Sequence, residues 1–389
     1  MLTKFLNEFY CQKAKRAVSN NNMKKVVTIG GAMRDIFIQY DHIDTLHLHT
    51  QDADYAYVIM QEGKKIEVKQ LAYHVGGGAA NSAVSFARLG FLVNSFFKLG
   101  VDQEGDFILD ALAKEKVATN QVVRTKKAIT GTSFIIPSKS GDRTVLVYRG
   151  ANITLTEKEL PQDAIIACDQ LYVTSLSGPA AKLLPPITRL AKKYNKMVAT
   201  NPGTSQLISG VESFKQALAN IDILILNGFE AQLLMTSLVT LSLPQDLPPL
   251  QEKVGKKLPQ LLGEPMGLPT VCFTLPQFFR EIQKQGPRIV VVTNGRDGVY
   301  AAYNDTIYFH SALPVNVVST LGAGDAFGSC FVAQIMQNKS IEYAIRAGVV
   351  NSASVIQELD TQTGLLNTVT LEEKLKELDP LLLQIFSLV

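Results

Sequence analysis

Apolar runs alternate with helical stretches along most of this chain, and that alternation leaves few folds open. Val26–Ile29, Phe96–Gly100, Thr132–Ile136, Thr144–Tyr148, Gln170–Thr174, Met197–Thr200, Ile221–Leu226 and Ile289–Thr293 read as strands. Stretches near 105–116, 180–194, 211–219 and 229–238 read as helices between them, and 341–357 and 370–386 as helices that close the chain. Such alternation predicts an α/β fold with a central, mostly parallel sheet and helices on both faces. Ligands in sheets of this kind sit at the carboxyl ends of strands, where Asp35, Asn201, Asn227 and Thr293 fall in this reading.

Three stretches break the rhythm. Residues 1–22 are basic apart from Glu8 and end in Ser19-Asn20-Asn21-Asn22, so they are expected to form an N-terminal extension, with the main domain running over 23–389. Residues 46–75 read as a small antiparallel sheet; His47 and His49 share one strand face there, and a half-exposed strand accounts for them better than a metal site. Residues 236–287 hold eight of the sixteen prolines and read as a surface insertion with some helix.

Two glycine-rich helix starts carry the chemistry. In Ser319-Thr320-Leu321-Gly322-Ala323-Gly324-Asp325-Ala326-Phe327, small residues and one carboxylate precede an apolar stripe formed by Ala323, Ala326, Phe327, Cys330 and Phe331. Free N–H groups at a helix start make an anion site. An aspartate beside that site can take a proton from a hydroxyl while the N–H groups hold a phosphoryl group. The second start is Val75-Gly76-Gly77-Gly78-Ala79-Ala80-Asn81, where Asn81 offers a donor and an acceptor to hydroxyls. Either piece alone is also what a cap or a tight turn looks like. The spacing Gly322, Gly324, Gly328 is one residue too long for GxGxxG, and no GxxxxGK[ST] occurs, so the dinucleotide and P-loop motifs are excluded.

Composition narrows the partners. A net charge of +3 gives no basis for nucleic acid or membrane binding, and no apolar run has the length of a membrane span. Cys11, Cys168, Cys272 and Cys330 lack metal or disulfide spacing, which suits reduced thiols in a cytoplasmic protein.

With both helix starts in order, the chain resembles the PfkB family of carbohydrate and nucleoside kinases, of ribokinase-like fold, over about residues 23–370. Gly76 to Asn81 and Gly100-x-Asp102-x-x-Gly105 match its early signature, and Gly322 to Phe327 its late one. Asn227-Gly228-Phe229-Glu230 is similar to its NxxE, and Thr293 to Gly298 to its TxGxxG. The resemblance implies transfer of the γ-phosphoryl group of ATP to a sugar hydroxyl, in the manner of a ribokinase or fructokinase. Asp325 would be the base, and Gly322, Ala323 and Gly324 the anion hole. Asp35, Gly77 and Asn81 would hold substrate hydroxyls. Asn227 and Glu230 would act near Mg²⁺ through waters, without a direct protein ligand set. Thr293, Gly295 and Gly298 would border the nucleotide, and Asn351 would line its adenine pocket. The strands of 46–75 would be a lid, which in the family often builds a homodimer contact.

Some positions depart from the family's pattern. Ser319 and Leu321 stand where a carboxylate and a hydroxyl help ribokinases hold a monovalent cation, so dependence on K⁺ is expected to be weak. Gly78 stands where ribokinases proper have Lys, which argues against strict ribose specificity. An adenosine or other nucleoside kinase on the same fold is the second enzymatic reading. A sugar- or nucleotide-binding protein without catalysis is the third.

Overall fold

The computed structural model describes residues 23–40, 44–49, 54–137, 143–238, 258–268 and 271–388. The extension expected over 1–22 lies outside them. Leu92–Phe96, Lys25–Ile29, Gln170–Val173, Met197–Thr200, Ile223–Asn227 and Ile289–Thr293 lie side by side and run parallel. Gly298–Tyr303, Thr306–Ser311 and Leu383–Ser387 extend the same sheet as antiparallel strands. Val26 to Ile29 and Ile289 to Val292 are buried without interruption because helices cover both faces.

On one face pack the helices Gly78–Arg88, Ala323–Met336 and Ile341–Val355, through residues such as Ala83, Phe327, Phe331 and Ile345. On the other pack Leu184–Lys193, Val211–Leu218, Gly228–Leu238 and Leu275–Gln285, through Ile187, Phe214, Leu234 and Phe278. Burying one Leu or Phe contributes about 1.5–3 kcal/mol, so packing outweighs the poor helix propensity of Gly324 and Gly328 in Ala323–Met336. Gly328 also lets that helix settle on the sheet: a Cβ there would lie 2.4 Å from the Tyr172 hydroxyl. This contact fixes the height of the helix start, and with it Asp325.

A smaller sheet runs Arg143–Tyr148, Gly131–Pro137, Met33–Gln39, Gln70–Gly76. Its register sets Asp35 opposite His74 on one side and Ser133 on the other, while Ile36 faces Tyr73 and Phe134. Strand alternation therefore sends the Asp35 row inward, where Asp35 and Ser133 are buried, and leaves Tyr73, Phe134 and Leu146 exposed on the outer face.

Several expectations are corrected here. Asp35 lies within Met33–Gln39 and not at the end of a parallel strand, because Gly30 and Gly31 end the first strand before the chain turns into the smaller sheet. Thr132–Ile136 and Thr144–Tyr148, read as part of the βα alternation, are the antiparallel pair Gly131–Pro137 and Arg143–Tyr148 of that sheet. Within 46–75, Asp44–His49 pairs with Asp54–Ile59, and only Gln70–Gly76 joins the smaller sheet. The stretch 236–287 is more than surface: Phe273, Leu275, Phe278, Phe279 and Ile282 are buried in the core. Its residues 239–257 and 269–270 lie outside the described ones. The C-terminus closes as helix Thr368–Glu377 followed by a strand, not as one helix over 370–386. Among the described residues no helix is long and apolar enough to cross a membrane.

Candidate active site

The two glycine-rich helix starts meet beyond the carboxyl end of the central strands. Gly77 precedes the helix Gly78–Arg88 with φ 95°, and a Cβ there would come within 2.5 Å of the Gly31 carbonyl oxygen. Glycine is needed at this position for both backbone angle and space. A Cβ on Gly78 would sit 2.9 Å from Thr174 and 3.2 Å from Asp325 Oδ1. One helix start thus abuts the carboxylate of the other.

Gly322 caps the helix Ala323–Met336 in the left-handed region, φ 79°. The Ala323 N–H donates to the Thr320 carbonyl at 3.4 Å, and a Cβ on Gly324 would project into open space. Open space before a helix start suits an incoming anion. Asp325, in the first turn, accepts a hydrogen bond from Asn81 Nδ2 at 2.9 Å. Burial raises its pKa above the usual carboxylate value, and the Asn81 donor works against that rise.

Asp35 approaches from the smaller sheet, its carboxylate lying where a Cβ of Gly76 would project. The Ser133 hydroxyl donates to Asp35 Oδ1. Burial lifts the Asp35 pKa to about 6; Ser133 opposes this, and the charges of Asp325 and Asp360 add to it. Gly30, Gly31, Gly77 and Gly78 line a cavity together with Met33, Arg149, Asn152 and Ser175.

Asn227 and Glu230 cap the helix Gly228–Leu238 reciprocally. The Asn227 N–H donates to Glu230 Oε2 at 2.9 Å, and the Glu230 N–H to Asn227 Oδ1 at 2.8 Å. Burial raises Glu230 to about 7, the Asn227 N–H lowers it, and Asp325 raises it further. Asp325 is thus electrostatically linked to both Asp35 and Glu230. Glu230, with Asn227 beside it, would suit Mg²⁺ held through waters. Among the described residues no three His, Cys, Asp or Glu side chains are placed to hold a metal directly.

Thr293 ends the strand Ile289–Thr293, beside Asn227 in register. Gly295, φ 51°, faces open space, whereas Gly298 is required by packing, because a Cβ would lie 2.2 Å from the His310 carbonyl oxygen. Asn351 is fully buried, its Nδ2 donating to the Ala326 carbonyl at 2.9 Å and its Oδ1 accepting from Leu366 N at 2.9 Å, so it braces the helix that carries Asp325.

Asn81 is corrected in part. Expected to serve hydroxyls with both its groups, it spends its oxygen on Thr361 Oγ1 at 2.8 Å and Gln362 Nε2 at 3.1 Å. The turn Asp360–Thr363 was not singled out from sequence. Its composition, Asp-Thr-Gln-Thr-Gly after an apolar helix, marks a turn but not what the turn touches. Arg143 is a second such residue: from the smaller sheet its guanidinium donates to the Thr320 hydroxyl, beside the Gly322 turn.

The chain is similar to carbohydrate kinases of known sequence and structure. The model of the pfkB family carbohydrate kinases matches residues 23–257 and 275–368. A ribokinase of Staphylococcus aureus (strain COL) is 27% identical over 309 residues, covering 78% of this chain and 90% of that protein. A 5-dehydro-2-deoxygluconokinase of Clostridium tetani (strain Massachusetts / E88) is 23% identical over 325 residues, covering 80% and 86%. Among solved structures, Arabidopsis thaliana ribokinase complexed with ribose and ATP has a TM-score of 0.69 at 19% identity, covering 91% of this chain and 99% of that one.

Proposed function

The chain belongs to the pfkB family of carbohydrate kinases, and from that membership we propose that it moves the γ-phosphoryl group of ATP to a hydroxyl of a sugar. The observation that carries this reading is the position of Asp325, in the first turn behind the left-handed Gly322 and against the glycines of the other helix start. Asp325 takes the proton of the acceptor hydroxyl as that oxygen attacks phosphorus. N–H groups of the Gly322–Gly324 turn hold the phosphoryl oxygens during transfer. Asp35 and the Gly77 backbone hold other hydroxyls of the sugar, with the remaining N–H of Asn81 beside them. Mg²⁺, when bound, neutralises the phosphates, and Asn227 and Glu230 would hold it through waters. Thr293 and Gly295 border the nucleotide.

The experiment is ADP release over a panel containing ribose, fructose, 5-dehydro-2-deoxygluconate and adenosine, with MgATP. Names of the relatives put a sugar and a sugar acid in that panel. A sugar or sugar acid is expected to give the fastest release. Fastest release with adenosine would replace this reading by a nucleoside kinase, and none above the no-acceptor rate with any compound would favour a binding protein without catalysis.

Weak dependence on K⁺ follows from the turn. Ser319 Oγ already accepts from Leu321 N at 3.3 Å, Leu321 has no side-chain oxygen, and Arg143 puts a permanent positive charge on Thr320. Replacing K⁺ by a bulky organic cation at equal ionic strength is expected to change kcat/KM by less than about tenfold, or ~1.4 kcal/mol. A larger activation by K⁺ would contradict it. The outward row Tyr73, Phe134, Leu146 supports a homodimer formed through the smaller sheet, which we take as the lid, and we place the reaction in the cytoplasm.

A further inference from the structure

Asp360–Thr363 forms a built turn directly behind the proposed base. Asp360 Oδ1 accepts from the N–H groups of Gln362 and Thr363 at 2.7 and 2.8 Å, and its Oδ2 from the Thr363 hydroxyl at 2.6 Å. Arg88 pins the same segment from the helix Gly78–Arg88. Its Nη1 donates to the carbonyls of Gln362 at 2.7 Å and Leu365 at 2.8 Å, while Nε and Nη2 grip Glu115 at 3.0 and 2.7 Å. The lid strand touches the turn too, since His74 Nδ1 lies 3.5 Å from Asp360 Oδ2.

So held, the turn presents two donors to one acceptor. The Thr361 hydroxyl donates to Asn81 Oδ1 at 2.8 Å, with the Val75 carbonyl a longer alternative at 3.3 Å, and Gln362 Nε2 donates to the same Asn81 oxygen at 3.1 Å. A side-chain amide has nearly the same shape either way round, so packing alone does not choose its orientation; donors and acceptors do. With its oxygen on these two donors, the Asn81 amide turns its NH₂ group toward Asp325 Oδ2, at 2.9 Å. Reversed, it would set a carbonyl oxygen against a carboxylate.

We propose that Thr361 and Gln362 are positioning residues that lock the Asn81 amide with its donor toward Asp325 and so hold the carboxylate in its ionised, proton-accepting form. The proposal rests on Asp325 being the base. The groups around Asp325 make such a lock necessary. Asp35 from the lid strand, Glu230 from the helix Gly228–Leu238 and Tyr172 from the central strand are all acids, and Asp360 stands behind Asp35. Of the basic groups, Arg88 and His74 contact the Asp360–Thr363 turn, and Arg143 is engaged with Thr320 beside the Gly322 turn. Thr361 also packs on the anion-hole turn, with its Cβ 2.8 Å from where a Gly322 side chain would begin. One turn therefore touches both halves of the reaction centre.

The test needs no knowledge of the sugar. Full-length protein carrying ¹³C at its aspartate carboxyls is titrated by NMR, the Asp325 signal being the one lost in Asp325→Asn. Thr361→Val with Gln362→Met is expected to raise the Asp325 midpoint by about one pH unit, and Thr361→Ser to leave it in place. Valine keeps the branched shape against Gly322, and a melting curve confirms folding. Should the double variant fail to fold, Thr361→Val alone carries the test, with a shift of about half a unit expected. An unmoved midpoint in a folded variant overturns the lock. Whether Asp325 is the base is settled separately by turnover of Asp325→Asn on the panel above. An inactive Asp325→Asn with an unmoved midpoint in the lock variants leaves the base reading standing and the lock refuted, whereas near wild-type turnover of Asp325→Asn overturns both.

Discussion

Asp325→Asn is expected to fold normally, to bind nucleotide and sugar, and to lose at least about 10²-fold in kcat, the usual scale for removing a general base. The expectation comes from position as much as from chemistry. The carboxylate stands in the first turn behind Gly322, and the Gly78 helix start abuts it. Burial holds its pKa above the ordinary value, which makes it a stronger proton acceptor once ionised. Asparagine preserves size and packing but cannot take the proton, so the loss should fall on kcat and spare KM. Steady-state kinetics of the purified variant beside a melting curve checks both parts. Turnover near the wild-type rate would remove Asp325 from the chemistry.

The helix start that carries Asp325 was legible in the sequence because everything that defines it is local. A helix start, two glycines and a carboxylate fit within Gly322–Asp325, and hydrogen-bond geometry at a helix terminus needs no distant partner. The main sheet was legible for a similar reason: runs such as Ile289–Thr293 are apolar on both faces only when helices cover both. Asn81 shows where that kind of reading ends. Its residue type announces a donor and an acceptor, but the groups that occupy its oxygen stand 280 and 281 positions away, at Thr361 and Gln362. Only the fold reveals that this asparagine faces Asp325.

Asn351 shows the same limit: its amide bridges Ala326 and Leu366, backbone groups that only the fold brings to it. The smaller sheet was misjudged because period-2 text looks alike in any sheet. Gly131–Pro137 and Arg143–Tyr148 read as strands correctly, but pairing partners are set by topology. Leu275–Gln285 was hidden by the prolines around it. Pro276 sits in its first turn, where the missing N–H does no harm, and Thr274 with Gln277 forms the capping box ahead of a buried Phe278 and Phe279.

Asp35→Ala is expected to raise the KM for the sugar by about 10²-fold or more, with a smaller fall in kcat. A hydrogen bond to a charged group contributes about 1.5–3 kcal/mol, and a carboxylate gripping two neighbouring hydroxyls makes two of them. Each ~1.4 kcal/mol is tenfold in affinity, so the lower bound for the pair already gives about 10². The pH dependence gives a second signature. Asp35 is held near pKa 6 chiefly by burial, with Asp325 and Asp360 adding their charges. Only the ionised form accepts from both hydroxyls. Sugar affinity should therefore be full well above pH 6 and weaken as pH falls through that value. Asp35→Asn, which cannot titrate, should show a raised KM that stays flat across the same window, apart from changes common to both proteins. Burial also raises the pKa of Asp325, so kcat and KM must be followed separately: loss of the base is expected in kcat, loss of the Asp35 grip in KM. A wild-type sugar KM in Asp35→Ala would show that the hydroxyls are held elsewhere. An unchanged pH profile of KM in Asp35→Asn would show that the group titrating near 6 is not Asp35.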